Sequence, residues 1–356
     1  MMNSHITYNT QPAFPVFIIG AGGIVNAAHL PAYQLAGYQV QGICDLDVQK
    51  ARSTAEKYGI EQVFASTEDM LLHLPPDAVV DIAVPASAYL PLLALLPHGT
   101  AVLLQKPMGE NLTQAREILQ LCQRRNLFAA VNFQLRYAPF ILEAKQMLQQ
   151  GLLGTLHDIE VNVNVYTPWH LWDFLAKTSR VEILYHSIHY LDLIRHLLGN
   201  PISIYAKTTG HTSMPQLASV RSTIIMDYGP AVRASILTNH CHNYGNTRQQ
   251  SYIKLEGTKG AIIINFGALI NYPAGEADRF EFVLLKASEP TQWQTKKIEG
   301  TWFPHAFIGS MKELMKVKAG ITAQPDNSVN DCIQTMACVE AAYASSNAGG
   351  VKPDYY

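Results

Sequence analysis

The first third of the chain alternates short apolar runs with segments of helical periodicity. The runs at 14–19, 78–84 and 101–104 are almost uniformly apolar, which is typical of strands buried on both faces. Strands of this kind, when helices separate them, lie parallel and are joined by crossover connections. The pattern therefore predicts a doubly wound parallel sheet. Pro31 is expected to end or kink the first helix.

The hydrophobic pattern changes after residue 133. In 159–165 apolar and polar residues alternate strictly, which indicates an antiparallel strand with one buried and one solvated face. We therefore expect two domains: 1–133 with the parallel sheet, and 134–356 of α+β class with an open, mostly antiparallel sheet carrying helices on one face. Further strands are predicted at 202–207, 221–226, 233–237, 252–255, 261–264 and 280–285, and closing helices at 306–318 and 329–345.

Charge and hydropathy narrow the range of partners. The 356 residues carry a formal net charge of −2, so no basic field favours nucleic acid or an anionic membrane. The span 82–104 is apolar, but three prolines and a His-Gly-Thr turn interrupt it, which argues against a membrane helix. A small neutral molecule is the partner that this composition favours.

The cysteines and the N-terminal residues bear on location. Five cysteines are scattered without CxxC spacing, which favours reduced thiols over a disulfide framework or a zinc site. Residues 1–15 lack the charged start and apolar core of a secretory signal. We therefore expect a cytoplasmic protein.

A glycine turn follows the first apolar run. Gly20 permits a tight turn off the strand, and Gly22 lets a pyrophosphate approach bare backbone at the start of a helix. The next run ends in Asp45, at the spacing where a dinucleotide-binding βαβ unit has an acid that binds the ribose diol and repels a 2′-phosphate. The pattern predicts NAD and disfavours NADP. Val25 stands at the third glycine position, and a tight turn without a ligand is the alternative interpretation.

Lys106 is the first catalytic candidate. It follows Gln105 at the carboxyl end of a predicted parallel strand, which is the edge where ligands bind in such sheets. A lysine with a lowered pKa can move a proton near neutral pH. The alternative interpretation is a solvated lysine at a strand end.

A second set of candidates lies on a predicted helix over 181–199. At 100° per residue, its polar side chains fall in one narrow stripe, while most other positions are apolar. Such a helix is expected to be buried with the stripe facing a polar group, either a ligand or a satisfied structural network. The stripe consists of Tyr185, His189, Asp192 and His196.

Three motifs in this order resemble the glucose–fructose oxidoreductase / inositol dehydrogenase / MocA family over essentially the whole chain. They are the glycine turn, Gln105-Lys106-Pro107 and Ser187-Ile-His189-Tyr-Leu-Asp192. The resemblance implies an N-terminal Rossmann domain and a C-terminal α/β domain whose open sheet often mediates oligomerisation, and hence a homo-oligomer, a dimer or a tetramer. Two positions depart from the family pattern, with Gln105 in place of a glutamate and Tyr185 in place of an aspartate.

The resemblance also implies the chemistry and the residues that carry it. A hydride passes between a substrate carbinol carbon and NAD, with Lys106 orienting the oxygen and His189 acting as acid and base. Tyr185 is then a relay or alternative proton donor, and Asp192 orients His189. The implied cofactor-binding residues are Gly20, Gly22, Gly23, Ile24, Asp45, Gln105 and Lys106.

Substrate contacts are expected from the second domain. Trp169 and His170 follow the alternating strand, and their rings suit the apolar face and the hydroxyl groups of a sugar. An aromatic lid packed as core is the alternative. His186 and Asp192 are further candidates, and Arg136 either contacts the substrate or ties the domains together.

A metal site has one conceivable pair of ligands. His240 and His242 lie on one face of a predicted strand. With no third ligand evident, no metal is predicted.

The sequence as a whole predicts an NAD(P)-dependent oxidoreductase acting on a CH–OH group of a sugar, polyol or related hydroxylated small molecule. A non-catalytic NAD(P)-binding ligand sensor of the same fold stays open because of Gln105 and Tyr185. A reductase of an amino- or imino-acid substrate is the other alternative, and an arginine-lined pocket for a carboxylate would mark it.

Overall fold

The computed structural model describes residues 14–287 and 290–354, which form two compact units. The first unit comprises the residues up to Pro139 together with Glu299–Met336. The second comprises Phe140–Ile298 together with the residues from Ala337 on. The domain boundary at residue 133 stays a prediction. Residues 1–13, on which the expected lack of a secretory signal rests, lie outside the described residues.

Six parallel strands form the sheet of the first unit, in the order β3-β2-β1-β4-β5-β6. All four residues of β1 and of β4 are buried, including Asp81 on β4, as residues of strands covered on both faces should be. This sheet confirms the predicted doubly wound class. Its strands are β1 (Val16–Ile19), β2 (Val40–Cys44), β3 (Gln62–Phe64), β4 (Val79–Ile82), β5 (Ala101–Gln105) and β6 (Phe128–Asn132).

Eight strands form the sheet of the second unit, in the order β14-β13-β12-β11-β7-β10-β9-β8. The fifth and sixth strands in this order, β7 and β10, are parallel, and the other neighbours are antiparallel, which confirms the predicted mostly antiparallel sheet. The strands are β7 (Leu156–Asn164), β8 (Ser203–Thr209), β9 (Arg221–Asp227), β10 (Arg233–Asn239), β11 (Gln250–Gly257), β12 (Gly260–Asn265), β13 (Arg279–Leu284) and β14 (Gln294–Lys296).

Burial alternates along these strands as the period-2 pattern requires. On β7, Ile159, Val161 and Val163 are fully buried, while the polar residues between them are half-buried on the other face. One face of this sheet therefore builds the core of the second unit.

The helices cover the sheets. Their bounds are α1 (Leu30–Ala36), α2 (Val48–Tyr58), α3 (Thr67–Leu72), α4 (Tyr89–Leu95), α5 (Leu112–Arg124), α6 (Pro139–Gln149), α7 (Ile188–Leu198), α8 (His305–Lys318) and α9 (Val329–Ala348). Within the described residues, no helix has both the length and the apolar character that crossing a membrane requires.

Helix α8 belongs to the core of the first unit. Its apolar side chains, among them Met311 and Leu314, are buried in one cluster with Val16 and Ile18 of β1. This burial brings a segment from late in the chain back to the parallel sheet.

The first helix does not end at Pro31, contrary to one part of the sequence expectation. It begins as a π-helix over Val25–His29 and continues as α1 to Ala36. Pro31 stands in the first turn of α1, directly after the π-helical turn, so the helix changes its geometry at the proline and does not end there.

Candidate active site

The chain turns sharply between β1 and the helix that follows it. Gly20 has a φ of +109°, and a Cβ atom there would lie 2.6 Å from the Ala83 carbonyl oxygen. Only glycine fits such a position without strain. A Cβ atom on Gly22 or Gly23 would instead meet no atom within 4 Å, and both residues are exposed. The backbone after Gly20 is therefore bare and open.

The helix behind this turn holds it in place without a third glycine. Val25, at the third glycine position, is fully buried in the core. The side-chain amide of Asn26 donates to the carbonyl oxygens of Ala21 and Gly22, at 3.1 and 3.2 Å. The Tyr58 hydroxyl of α2 in turn donates to the Asn26 carbonyl oxygen at 2.6 Å. Side-chain hydrogen bonds thus fix the turn from the helix side.

A buried polar group anchors the same helix to the sheet. His29 Nδ1 lies 2.7 Å from Asp81 Oδ2 on β4, and the Tyr33 hydroxyl donates to the same oxygen at 2.6 Å. The Asn132 amide nitrogen lies 3.3 Å from His29 Nε2. Breaking such a group leaves buried polar atoms unpaired, so it ties the helix firmly to β4 and β6.

Asp45 lies beside the glycine turn. Its Oδ2 atom accepts the Ala21 N–H at 2.7 Å, and its Oδ1 atom accepts the Asp47 N–H at 2.8 Å. Each carboxylate oxygen has a second lone pair, so both can still accept hydroxyl groups. A ribose contact by Asp45 stays a prediction.

A dinucleotide fits these residues by their chemistry. Exposed N–H groups at Gly22 and Gly23 suit a pyrophosphate, and the Asp45 carboxylate suits a ribose diol. Ile24, which is half-buried, continues the turn into the helix. At the ligand-binding edge of the sheet, the Gln105 side chain is almost fully buried at the end of β5.

Lys106 directly follows β5. Gln105 Oε1 accepts the Lys106 N–H at 2.9 Å, and the Tyr89 hydroxyl donates to the Gln105 carbonyl oxygen. The Lys106–Pro107 peptide bond is cis. Burial lowers the pKa of the Lys106 ammonium group to about 8, because the charged form loses hydration. A lysine of this kind can donate a hydrogen bond as an ammonium ion and can also lose its proton near neutral pH.

The predicted polar stripe lies on a helix of mixed geometry in the second unit. Ile183–Ser187 form a π-helix, and α7 continues from it. The wider turn displaces Tyr185 from the assumed 100° spacing, and its half-buried ring lies edge-on to Phe174, with centroids 5.6 Å apart. His189, in the first turn of α7, is 7% exposed.

The remaining stripe positions have different surroundings. Asp192 is buried on α7. His196 Nε2 lies 2.6 Å from Lys145 Nζ on α6, so a structural contact accounts for this end of the stripe. The orienting role predicted for Asp192 stays a prediction.

A buried polar cluster next to this helix was missed by sequence reasoning. Glu182 Oε1 accepts the Ser187 hydroxyl at 2.7 Å and lies 3.5 Å from His240 Nε2. His240 Nδ1 lies 2.9 Å from the Thr167 hydroxyl oxygen. Burial alone would raise the pKa of Glu182, but His240 and the hydroxyls of Ser222 and Ser187 hold it below its usual value. The carboxylate is therefore ionised although it is fully buried.

The His240 ring, which faces this carboxylate, packs against two further aromatic rings. The centroids of His186 and His240 lie 4.3 Å apart, and the Trp169 ring lies edge-on to both, at 5.0 and 5.7 Å. Trp169 is 7% exposed, and its indole N–H has no hydrogen-bond partner among the described residues. Two substrate candidates, Trp169 and His186, are thus brought together, and His240 joins them.

The other substrate candidates lie elsewhere. His170 is exposed, although it is adjacent to Trp169 in sequence. Arg136 is fully buried in the first unit, where its guanidinium donates to Asp331 Oδ2 at 2.7 Å and to the Asp326 carbonyl oxygen at 3.0 Å. These contacts join two segments of the first unit, and both predicted roles of Arg136, the substrate contact and the link between domains, stay predictions.

The two histidines considered as metal ligands have different neighbours. His240 faces Glu182, and His242 Nδ1 lies 3.1 Å from the Asn164 amide nitrogen. Across residues 14–287 and 290–354, no group of three or more histidine, cysteine or acidic side chains has the arrangement of a metal site.

A parallel sheet in this strand order, with a glycine turn after its first strand and an acid after its second, defines a Rossmann-type dinucleotide-binding protein. Residues 14–133 match the model of the GFO/IDH/MocA oxidoreductase family with its NAD-binding Rossmann fold, and residues 141–263 match the GFO/IDH/MocA C-terminal domain. The chain belongs to this family of NAD-binding oxidoreductases, which confirms the predicted family, enzyme class and cofactor.

Curated relatives and solved structures span most of the chain. A D-apiose dehydrogenase from Paraburkholderia graminis is 24% identical over 347 residues, which is 96% of this chain and 90% of the relative. A D-glucoside 3-dehydrogenase from Escherichia coli is 26% identical over 196 residues, 54% of this chain and 56% of the relative. An oxidoreductase from Agrobacterium radiobacter, solved with NAD+, L-tartaric acid and magnesium, has a TM-score of 0.78 at 20% identity and covers 94% of this chain and 97% of its own. This last similarity concerns the fold.

Proposed function

We propose that the protein is an NAD-dependent dehydrogenase or reductase that acts on a CH–OH carbon of a sugar, polyol or related hydroxylated small molecule. Family membership supplies the reaction class. The sugar dehydrogenases among the relatives support the substrate class. NAD, when bound, supplies the hydride acceptor or donor.

The observation that carries this proposal is the position of Lys106 together with its lowered pKa. It stands at the carboxyl end of β5, on the sheet edge where ligands bind, and its pKa of about 8 makes both protonation states available near neutral pH. As an ammonium ion it donates a hydrogen bond to the substrate oxygen and stabilises the charge that develops there. The glycine turn after β1 and Asp45 hold the cofactor.

The second unit supplies the remaining proposed roles. His189 transfers the hydroxyl proton, Tyr185 is an alternative donor, and Asp192 orients His189. Trp169, His170 and His186 contact the substrate. The guanidinium of Arg136 binds Asp331, so we propose a structural role for Arg136 in place of a substrate contact.

Cofactor preference and cellular location form part of the proposal. The Asp45 carboxylate would repel a 2′-phosphate, which favours NAD over NADP. All five cysteines are free thiols, which suits a reducing cytoplasm.

The test is the absorbance of reduced nicotinamide while the purified protein is offered NAD or NADP with a panel of sugars, polyols, hydroxy acids and amino acids. Turnover of sugars or polyols that Lys106→Ala abolishes, with NADH binding retained, supports the proposal. Turnover of amino acids would replace it with the amino- or imino-acid alternative. NADH binding without turnover of any compound would favour a ligand sensor.

We also propose that the protein is a homo-oligomer assembled through the open face of the second sheet. Tyr205, Ile225 and Leu237 on neighbouring strands are 60%, 46% and 48% exposed. Tyr205 pairs directly with Ile225 in the strand register, and Leu237 pairs with Thr223, two residues from Ile225 on the same strand. The three side chains therefore form an exposed apolar patch on one face of the sheet. We expect light scattering to give a dimer or tetramer for the native chain and a monomer for Ile225→Lys/Leu237→Lys. A native monomer would refute the proposal.

A further inference from the structure

The side chain of Asn26 sets the direction of the peptide groups in the glycine turn. Its amide nitrogen donates to the carbonyl oxygens of Ala21 and Gly22, at 3.1 and 3.2 Å. In a planar trans peptide the N–H group points opposite to the carbonyl group of the same peptide. The N–H groups of Gly22 and Gly23 therefore point away from Asn26, and both glycines are exposed. Successive N–H groups directed outward in this way suit an anion.

The amide of Asn26 is held in this orientation from α2. Its nitrogen also lies 3.1 Å from the hydroxyl oxygen of Thr54, a residue of α2 that is 4% exposed. The two carbonyl oxygens of the turn can only accept hydrogen bonds, so the nitrogen end of the amide has to face them. A buried hydroxyl group next to that nitrogen limits the rotation of the Asn26 side chain. Helix α2 therefore controls the side chain that orients the turn.

The backbone of Asn26 is held to α2 as well. In the π-helix the Leu30 N–H group donates to the carbonyl oxygen of Val25, five residues earlier. In that register the donor to the Asn26 carbonyl oxygen would be residue 31, which is a proline and has no N–H group. The hydroxyl group of Tyr58, the last residue of α2, donates to this oxygen at 2.6 Å instead. Tyr58 thus supplies the hydrogen bond that the proline cannot make.

The start of α2 is joined to the same turn through Asp45. The Asp45 carboxylate accepts the Ala21 N–H group at 2.7 Å and the Asp47 N–H group at 2.8 Å. Asp47 is the N-cap of α2, so both ends of this helix are tied to the glycine turn. The turn, the end of β2 and α2 therefore form one closed frame of hydrogen bonds. The Ala21 N–H group is engaged within this frame, and the groups directed outward are those of Gly22 and Gly23.

We propose that Asn26, Thr54 and Tyr58 are positioning residues for the cofactor. They hold the glycine turn so that the N–H groups of Gly22 and Gly23 face the pyrophosphate of NAD. A turn that is fixed before binding loses less conformational entropy on binding, so a looser turn binds the cofactor more weakly. The inference rests on the part of the proposed function in which the glycine turn binds the cofactor, and it is independent of the substrate.

The test compares how ADP and adenosine displace NADH from the full chain, followed by the fluorescence of the reduced nicotinamide. ADP carries two linked phosphate groups as NAD does, whereas adenosine shares only the base and the ribose. We expect Tyr58→Phe to weaken ADP binding roughly three- to tenfold, as for one hydrogen bond, and to leave adenosine binding unchanged. The matched control is Tyr228→Phe, because the Tyr228 hydroxyl donates to the Gly199 carbonyl oxygen of the second unit at 2.9 Å. This control should change neither affinity.

Asn26 and Thr54 are tested in the same assay. Asn26→Ala removes both contacts to the turn and should weaken ADP binding roughly tenfold or more. Thr54→Val, which removes the hydroxyl group at nearly constant size, should weaken ADP binding, whereas Thr54→Ser keeps the hydroxyl group and should retain the native affinity. Tyr58→Phe and Thr54→Val leave the core packing almost intact, so they decide the question if Asn26→Ala does not fold.

The ratio of the ADP and adenosine affinities separates positioning from stability. A variant that merely destabilises the first unit lowers the folded fraction and weakens the apparent binding of both ligands equally. Equal weakening, or an ADP affinity that Tyr58→Phe and Asn26→Ala leave unchanged, would overturn the inference while the native chain still binds NADH. A native chain that binds neither NADH nor ADP would instead remove the cofactor site on which the proposed function depends. Both failures are measured without turnover, so they are distinguishable.

Discussion

Lys106 shows how burial prepares a side chain for proton chemistry. Its ammonium group loses hydration at the end of β5, and its pKa falls to about 8 from an unfolded value of about 10.4. At pH values between these two pKa values, Lys106 is protonated in the unfolded chain and deprotonated in the folded chain. Stability therefore rises with pH through this window, and the buried charge is a cost below it.

Replacing Lys106 with Met should consequently stabilise the protein at pH 7. We expect the melting temperature to rise by roughly 2–4 °C, the equivalent of about 1 kcal/mol. The gain should shrink as the pH is raised from 7 to 10, because the native lysine then becomes neutral. Thermal melts at both pH values measure this, with exposed Lys50→Met as the control. An equal gain at both values would contradict the burial argument.

Asp45 is a second case at the residue scale, because its one carboxylate joins the glycine turn to the start of α2. It accepts N–H groups from Ala21 in the glycine turn and from Asp47. We expect Asp45→Ala to reduce the preference for NADH over NADPH about tenfold or more, since a charge-assisted contact is worth about 1.5–3 kcal/mol.

The matched control for that substitution is Asp47→Ala. The Asp47 side chain caps α2 by accepting the Gln49 and Lys50 N–H groups, so its loss should cost about 1 kcal/mol of stability. It should leave the ratio of NADH to NADPH affinities unchanged. Fluorescence titrations of both nucleotides measure the two ratios, and a shift caused equally by both variants would remove Asp45 from the ribose site.

Sequence reasoning found the residues that belong to short local patterns. Gly20, Asp45 and Lys106 each mark the end of an apolar run, so the sheet edge on which they lie could be predicted. Glu182 and His240 could not be paired in this way, because 58 residues separate them and each follows a different element. The one signal for Glu182 was a charged residue inside the apolar run 181–184.

At the scale of elements, two glycines of the same turn differ in what a side chain would disturb. Gly20 has a positive φ, and a side chain there would clash with the Ala83 carbonyl oxygen, whereas a side chain on Gly22 would meet no protein atom within 4 Å. Gly20 therefore serves the backbone itself, whereas the open space at Gly22 would admit a ligand, as we propose for the cofactor pyrophosphate.

Two alanine substitutions test this separation. Gly20→Ala should cost about 1–3 kcal/mol of stability from backbone strain alone, and the clash adds to it. Gly22→Ala should change stability by no more than about 0.5 kcal/mol, as at other open surface positions, but should weaken NADH binding clearly. Denaturant unfolding and NADH titration on both variants provide the comparison. Full NADH affinity in Gly22→Ala would mean that the pyrophosphate does not approach this backbone.

The π-helical turns at Val25–His29 and Ile183–Ser187 limited how well the α-helical period could predict which side chains share one face of a helix. A stripe drawn at 100° per residue assumes α-helix throughout, but Ile183–Ser187 is wider, and this turn contains Tyr185 and His186. The same geometry occurs at Val25–His29, where the third glycine is absent. No local sequence pattern predicted these π-helical turns, because they depend on tertiary packing and on buried polar contacts.

At the scale of the whole chain, the two sheets could be predicted from the hydrophobic patterns of their strands. Apolar runs indicated the parallel sheet, and alternation of apolar and polar residues indicated the antiparallel one. The unit to which the last helices belong could not be predicted in this way. An amphipathic pattern shows that a helix packs against a core, but it does not show which core. Helix α8 buries Met311 and Leu314 against β1, so the first unit is built from two separate segments. A contiguous N-terminal domain ending near residue 133 would lack that cover over its sheet.

This discontinuity can be tested with two fragments. The ends to be joined are adjacent, since a Cβ atom on Gly300 would lie 3.0 Å from the Pro139 ring. A short Gly-Ser linker can therefore connect residues 14–139 to 300–336. We expect the joined fragment to unfold cooperatively and to bind NADH, because α8 then covers the core, and the fragment 14–139 alone to do neither.

A substitution within the joined fragment checks that α8 acts through its packing. Leu314 is fully buried, so Leu314→Ala should cost about 2–5 kcal/mol of stability. Circular dichroism melts and NADH titrations give both readouts. If the fragment 14–139 folds and binds NADH by itself, the parallel sheet needs no cover from α8, and the first unit is a contiguous domain to which the later segment merely adds.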